Sequence, residues 1–301
     1  MLVVGVSGVA VWVNLWPGPK PAPRPARPAP PQRITEVPRP AAPTKPEPLP
    51  DYGPLRRQLA DYLATRTARY SLYFKDLRSG AAFGIDEDRP IPAASSIKVP
   101  IVLYLNQLVA EGKASFDTRM AYDRDEHFEG GAGVLQMAAV DGDRFSLRVL
   151  ANLAITISDN IATQMLLDYL GRDNVAAFMR SIGGRTVYPE GQNISTARDM
   201  AAYLEAVLDF AKEYPSLGNR LLDDMAHPIY HVGLPGELPD NVRVAHKEGE
   251  VEGVANDVGV VFSKRPFILA VLSDGQGDPL LGFPEIARMT RMVYDYQNAL
   301  L

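Results

Sequence analysis

Three short motifs carry the side chains that acyl transfer by a serine needs when no catalytic histidine is available. The first offers a nucleophilic hydroxyl with an amine three residues on, the second a proton-relaying hydroxyl and an amide, and the third a second cation and a glycine. In order along the chain they are Ser95-Ser96-Ile97-Lys98, Ser158-Asp159-Asn160 and Lys247-Glu248-Gly249. Their order and wide spacing predict one site assembled from three separate parts of a fold.

The first motif is predicted to open a helix. Ser95 precedes an apolar helical pattern, and Pro100 supports a helix start nearby because proline is tolerated only in the first turn. Backbone N–H groups and the helix dipole favour negative charge at such a position. Lys98 would then share a face with Ser95, and a buried amine near another cation can act as a base. A simple helix N-cap is the alternative interpretation of Ser95.

The second motif follows an apolar run and leads into a helical pattern over residues 162–170. Ser158 could relay a proton to a leaving group, and Asn160 could hold both Lys98 and a substrate amide. Asp159 could simply cap the helix that follows.

The third motif is predicted to lie at the end of a strand over residues 242–246. Lys247 would supply the second cation, and Gly249 would let a substrate backbone approach the strand edge. A solvated strand-edge lysine is the alternative interpretation of Lys247.

No metal ion or other cofactor is predicted. The chain has no cysteine, which excludes disulfides, a thiolate nucleophile and Cys-ligated metals. His227 and His231 are four residues apart, but Pro228 interrupts the helix that such a ligand pair would need. His246 could orient Lys247, although a structural role is favoured.

Composition divides the 301 residues into three parts. Residues 1–16 are almost wholly apolar and are predicted to be an N-terminal membrane anchor, with a cleaved signal sequence as the alternative. Residues 17–50 hold 14 of the 26 prolines and are interpreted as an extended linker. Residues 51–301 are predicted to form the catalytic domain. The expected location is therefore the cell membrane with an extracytoplasmic domain, or secretion if the leader is cleaved.

The charge distribution argues against nucleic acid as a partner. The proline-rich linker carries six Lys or Arg against two Glu, whereas the whole chain has a net charge of −5 at pH 7. The predicted catalytic domain is therefore acidic, which does not suit a polyanion. The oligomeric state stays open, with a monomer as the working expectation.

Periodicity predicts an α+β fold. A helix is expected over residues 55–64, strands over 70–77, 81–86, 242–246, 255–262 and 267–273, and a last helix over 284–300. The middle of the chain, residues 108–235, is predicted to be mostly helical. First and last helices flanking one antiparallel sheet, with a helical insertion, account for this order of elements.

With these motifs and their flanking segments, the chain resembles the serine β-lactamase and penicillin-binding-protein family, in particular its class A branch. The resemblance covers most of residues 51–301. It implies a β-lactamase/transpeptidase-like fold, an antiparallel sheet flanked by helices plus a helical lobe, with the site between them. It also implies that Ser95 attacks a lactam or peptide carbonyl, that Lys98 helps to remove its proton, and that Ser158 and Lys247 protonate the leaving nitrogen. The backbone N–H groups of Ser95 and Glu250 would form the oxyanion hole.

Two departures from the family pattern bear on function. The loop over residues 183–193 is short, and Glu190 is its only carboxylate, so Glu190 is a weak candidate for the base that activates the deacylating water. Glu248 stands where the family has threonine, and its charge would repel a substrate carboxylate unless it is protonated or turned away.

Three functions follow from this resemblance. The first is hydrolysis of β-lactam amide bonds through a Ser95 acyl-enzyme. The second is a D-alanyl-D-alanine carboxypeptidase or peptidoglycan acyl-transferase with slow deacylation, which the short loop favours. The third is a non-catalytic cell-wall-binding module, which Glu248 favours and the intact motifs oppose. The expected partner is a small β-lactam or a peptidoglycan peptide.

Overall fold

The computed structural model describes residues 49–300. The predicted anchor over residues 1–16 and nearly all of the linker over residues 17–50 lie outside the described residues. Within residues 49–300, no helix combines the length and the apolar character needed to span a membrane.

The described part of the chain contains helices and strands in the following order. The helices are α1 (Gly53–Ala64), α2 (Lys98–Ala110), α3 (Arg124–His127), α4 (Leu135–Ala138), α5 (Leu147–Thr156), α6 (Asn160–Leu170), α7 (Arg172–Ser181), α8 (Ala197–Glu213), α9 (Pro215–Ala226) and α10 (Pro279–Ala299). The strands are β1 (Arg69–Asp76), β2 (Ala82–Ile85), β3 (Ile91–Pro92), β4 (Arg119–Ala121), β5 (Arg144–Ser146), β6 (Ile194–Ser195), β7 (Arg243–Val251), β8 (Val254–Phe262) and β9 (Phe267–Asp274). Two 3-10 turns, Ala94–Ile97 and Pro189–Gly191, lie between them.

One five-stranded antiparallel sheet organises the fold, with strand order β2-β1-β9-β8-β7. Strand β7 is therefore at an edge, and the 3-10 turn at Ala94–Ile97 packs against it. The polar third motif thus lies along the sheet edge beside the first motif.

Helices α1 and α10 cover one face of this sheet. The buried residues of α10 include Phe283, Ile286, Met289 and Val293, spaced three or four apart as one helical face requires. They join Leu55 and the other core residues of α1, β1 and β9 in one apolar cluster. Burial of such side chains contributes about 1.5–3 kcal/mol each.

The predicted α+β architecture is confirmed, and two boundaries are corrected. Helix α10 begins at Pro279, capped by Asp278, and Pro284 lies inside it rather than at its start. Strand β7 continues to Val251 because it pairs with β8 through to a tight turn at Gly253, where φ is +74°. Lys247 therefore lies in the middle of a strand, not at its end.

Candidate active site

The first motif lies on the 3-10 turn Ala94–Ile97, which leads directly into α2 at Lys98. Ala94 has a φ of +48°, a conformation that non-glycine residues adopt rarely. The side chain of Ser95 is partly exposed, whereas Ser96 beneath it is buried and its hydroxyl donates to Ala93 O at 2.6 Å. We call residues 93–97 the nucleophile turn. Its geometry turns Ser95 toward solvent and anchors its neighbour in the protein.

Two asparagines that the sequence analysis did not assign hold the nucleophile turn. Asn256 of β8 is buried and donates from Nδ2 to Pro92 O at 2.8 Å and to Ala93 O at 3.1 Å. Asn193 donates from Nδ2 to Ala94 O at 3.0 Å. The polar pair at positions 256 and 257 inside an otherwise apolar strand is the signal that could have identified Asn256.

Lys98 is the centre of the polar network. It is 4% exposed, and its Nζ donates to Ser158 O at 2.7 Å, to Asn160 Oδ1 at 2.7 Å and to Ser158 Oγ at 3.3 Å. Burial, and next the positive charge of Lys247, lower the pKa of Lys98 to about 7. Ser95 makes no hydrogen bond to Lys98 among the described residues. Catalytic hydrogen bonds are often long before substrate binds, so this separation does not remove Lys98 as a base.

The second motif forms a strained loop between α5 and α6. Ser158 is buried with a φ of +58°, and Asp159 caps α6 through a hydrogen bond from Ala162 N at 2.9 Å. The other oxygen of Asp159 accepts from Val134 N at 2.8 Å and Leu135 N at 2.9 Å. The capping role considered for Asp159 is therefore present, and the same carboxylate also ties down the preceding loop.

A glycine-rich loop adjoins Asn160. The Nδ2 of Asn160 donates to Gly130 O at 2.8 Å, so its amide links this loop to Lys98. The negative charge of Glu129 in the loop also acts on Lys98 and opposes the fall in its pKa. The sequence analysis did not include Glu129, although the run of small residues that follows it marks the loop.

Lys247 is fully buried and forms both of its hydrogen bonds with the next residue. Its Nζ donates to Glu248 O at 3.0 Å and to Glu248 Oε1, which completes an ion pair. Burial lowers the pKa of Lys247, and the charge of Glu248 opposes that shift. Glu248 is thus neither exposed nor turned away from the cation. Lys247 makes no hydrogen bond to Ser158 within the part of the chain that the structure describes.

Gly249 is required by contact within the protein. A Cβ at this position would lie 2.8 Å from Ala93 O, 2.9 Å from Ser96 N and 3.1 Å from Ser95 N. The nucleophile turn therefore occupies the space that a side chain at this position would need. The close approach brings Ser95 N next to β7, whose exposed residue Glu250 carries the other predicted oxyanion N–H.

His246 does not orient Lys247. Its Nδ1 lies 2.9 Å from Asp257 Oδ1, and both side chains are fully buried. Asp257 also accepts a hydrogen bond from Leu234 N at 2.7 Å. The structural role favoured for His246 therefore agrees with its contacts.

Glu190 forms no hydrogen bond with the polar network around Lys98 among the described residues. It lies on the 3-10 turn Pro189–Gly191 with a φ of +53°, its side chain is exposed, and it forms no hydrogen bond or ion pair with a described residue. The loop reaches the nucleophile turn through the amide of Asn193 instead.

The chain matches the model of the "Beta-lactamase enzyme family" over residues 54–297. It is 25% identical to β-lactamase SME-1 of Serratia marcescens, in an alignment that covers 67% of this chain and 75% of that protein.

Solved structures agree with this match. PBP-A superposes with a TM-score of 0.76 at 29% identity, covering 82% of this chain and 96% of that one. A mutant of PBP-A in an acyl-enzyme complex with penicillin G has a TM-score of 0.77 at 29% identity, covering 83% and 100%. A β-lactamase from Sphaerobacter thermophilus has a TM-score of 0.73 at 25% identity, covering 83% and 98%. The chain therefore belongs to the β-lactamase enzyme family, as a serine hydrolase of the class A β-lactamase-like kind.

Proposed function

We propose that this serine hydrolase opens β-lactam amide bonds through an acyl-enzyme on Ser95 and releases the acyl group slowly. The observation that carries the proposal is the environment of Lys98. Its amine is buried between Ser158 and Asn160, and its pKa is lowered to about 7. An amine with such a pKa can accept a proton near neutral pH, which is the property that a general base requires.

The other polar groups have complementary roles in this proposal. Ser158, at hydrogen-bond distance from Lys98, passes the proton to the departing nitrogen. The backbone N–H groups of Ser95 and Glu250 stabilise the oxyanion, because Gly249 lets the two segments approach closely. Asn160 fixes the amine of Lys98 and presents its amide at the edge of the site.

Slow release is proposed because a deacylation base is not held near Ser95. Glu190 is exposed and unpaired among the described residues, and the loop contacts the nucleophile turn by an amide, which cannot accept a proton from water. The PBP-A mutant in complex with penicillin G supports the same chemistry by similarity, since its acyl-enzyme persists long enough to be observed.

A D,D-peptidase or peptidoglycan acyl-transferase is the second candidate. The exposed position of Glu190 favours it, because such an enzyme does not need rapid hydrolysis of a lactam acyl group. Release of D-alanine from a peptide that ends in D-alanyl-D-alanine would support this candidate, whereas turnover of lactams alone would count against it.

Pre-steady-state kinetics with a chromogenic β-lactam tests the proposal. We expect a burst of ring opening equal in amount to the enzyme, followed by a much slower steady rate, because acylation precedes a slow deacylation. A linear time course with rapid turnover would show that deacylation is not limiting. A complete lack of ring opening at millimolar lactam would contradict the proposed activity.

A further inference from the structure

The cation of the third motif is already neutralised by the protein. Lys247 is 0% exposed, and both of its hydrogen bonds go to oxygens of Glu248. A lysine beside a catalytic serine would ordinarily attract an anionic group of the substrate. Here the carboxylate of Glu248 compensates the charge of Lys247, so that attraction is largely lost.

Glu248 retains one unused acceptor. Its Oε2 is buried and has no hydrogen-bond partner among the described residues, while Oε1 binds Lys247. A buried acceptor without a partner is costly, which favours a ligand that donates to it. Oε1 of the same carboxylate binds the amine of Lys247, and the charges of both residues act on the pKa of Lys98, so Glu248 belongs to the polar network of the site.

The neighbouring strand adds to the negative charge. Asp257 of β8 is the register partner of Glu248 on β7. The carboxylate of Asp257 binds His246 and Leu234 N. His231 lies close enough for both carboxylates to act on its pKa, which is lowered mainly by burial. A free carboxylate brought to this part of β7 would therefore meet two protein carboxylates and a lysine that is already paired.

We propose that Glu248 makes the site selective for substrates that present a neutral hydrogen-bond donor, such as a primary carboxamide, to β7 in place of a free carboxylate. The inference rests on the proposed function and names the substrate class for the same site. The donor N–H of the carboxamide binds Glu248 Oε2, and the ion pair with Lys247 stays intact.

One penicillin in three forms tests the inference: the free acid, the methyl ester and the primary carboxamide. The acylation rate of the full-length chain is followed by intact mass for each form. We expect the carboxamide to react fastest, the ester next and the acid slowest, with about tenfold or more between the first and last. The acid finds no unpaired cation at this position, and only the carboxamide can donate to Glu248 Oε2. The ester is neutral but has no N–H. Comparing it with the acid therefore measures the effect of the charge, and comparing it with the carboxamide measures the effect of the hydrogen bond.

The variant Glu248→Gln removes the charge with little change in shape. We expect this variant to raise the acylation rate of the free acid about tenfold. The difference in acylation rate between the acid and the carboxamide should then become smaller. Glu252→Gln is the matched control, since Glu252 is an exposed glutamate at the end of the same hairpin, and it should leave all three rates unchanged.

The outcomes separate this inference from the proposed function. If the acid reacts as fast as the carboxamide in the parent chain, the inference is overturned and the Ser95 acyl-enzyme stands. If none of the three forms acylates the chain, both are overturned. The ranking in the parent chain decides the matter even if Glu248→Gln does not fold.

Discussion

The two lysines of the site have opposite surroundings. Lys98 is held by one amide and by the oxygens of a serine, none of them charged, whereas Lys247 is held by a carboxylate. Burial disfavours the charged form of both, but only Lys247 has a counter-ion within hydrogen-bond distance. The pKa of Lys98 is lowered to about 7, so its amine can lose its charge near neutral pH.

The pH dependence of acylation follows from Lys98. Its pKa is lowered to about 7, and only its neutral form can accept the proton of Ser95, so the acylation rate should rise with pH through about 7. Lys98→Arg should abolish this rise and nearly all activity, because a guanidinium keeps its proton. Rates of acyl-enzyme formation from about pH 5 to 9 provide the measurement, and a flat profile in the parent chain would contradict the assignment.

Glu129 provides a second test of the same pKa. The charge of Glu129 raises the pKa of Lys98, so Glu129→Gln should shift the acylation profile to lower pH. The shift should be small because Glu129 is exposed and its charge is screened by solvent. The matched variant Glu252→Gln should leave the midpoint where it is, and an upward shift in Glu129→Gln would be evidence against this electrostatic account.

Glu190 should matter little for release of the acyl group. Because its side chain is exposed and unpaired among the described residues, we expect Glu190→Gln to change the deacylation rate constant by less than about threefold. The decay of a preformed penicillin adduct, followed by mass, gives this constant. A fall of a hundredfold would instead identify Glu190 as the deacylation base.

At the scale of elements, one side chain connects the sheet to the nucleophile turn. Asn256 of β8 donates to the backbone of β3 and the turn, and its Oδ1 accepts from Ser273 N of β9 at 2.9 Å. Asn256, Ala93 and Ser273 are buried, and an unpaired polar group in the interior costs about 1–3 kcal/mol. Asn256 therefore both stabilises the fold and positions Ser95.

We expect Asn256→Ala to lower the free energy of unfolding by about 1–3 kcal/mol and to slow acylation at the same time. The control is Gln297→Ala in α10, on the helical layer that covers the sheet. This change removes the buried hydrogen bond that the hydroxyl of Tyr52 donates to Gln297. That variant should lower stability without slowing acylation. Equal effects of the two variants on acylation would show that Asn256 has no positioning role.

Much of this arrangement could be predicted from the sequence, because periodicity and motif order report on local structure and chemistry. The first motif predicts a helix start because Pro100 limits where α2 can begin. The apolar runs predict the five strands of the sheet. The length of β7 could not be predicted, because its last residues are acidic and lack the apolar pattern of a strand. Only their pairing with β8 shows that the strand continues. The ion pair of Glu248 and the contacts of Asn256 depend on neighbours distant in sequence, which no local pattern contains.

At the scale of the whole molecule, we propose that the apolar residues 1–16 anchor the chain in a membrane and that the proline-rich segment separates the catalytic domain from it. The full chain expressed in a bacterial host should then sediment with membranes and resist extraction by alkaline carbonate. A variant that lacks residues 2–16 should stay in the soluble fraction. Recovery of the full chain in the soluble fraction would contradict the anchor, and a shortened mature chain would favour a cleaved leader.

The most direct test of the account is the intact mass of the chain after incubation with a penicillin at millimolar concentration over hours, beside Ser95→Ala. The account predicts an adduct of the mass of the whole lactam that persists in the parent chain, maps to the peptide containing Ser95 and is absent in Ser95→Ala. An adduct that forms equally in Ser95→Ala, or no adduct in the parent chain under any of these conditions, would contradict the central claim that Ser95 is the acylated nucleophile.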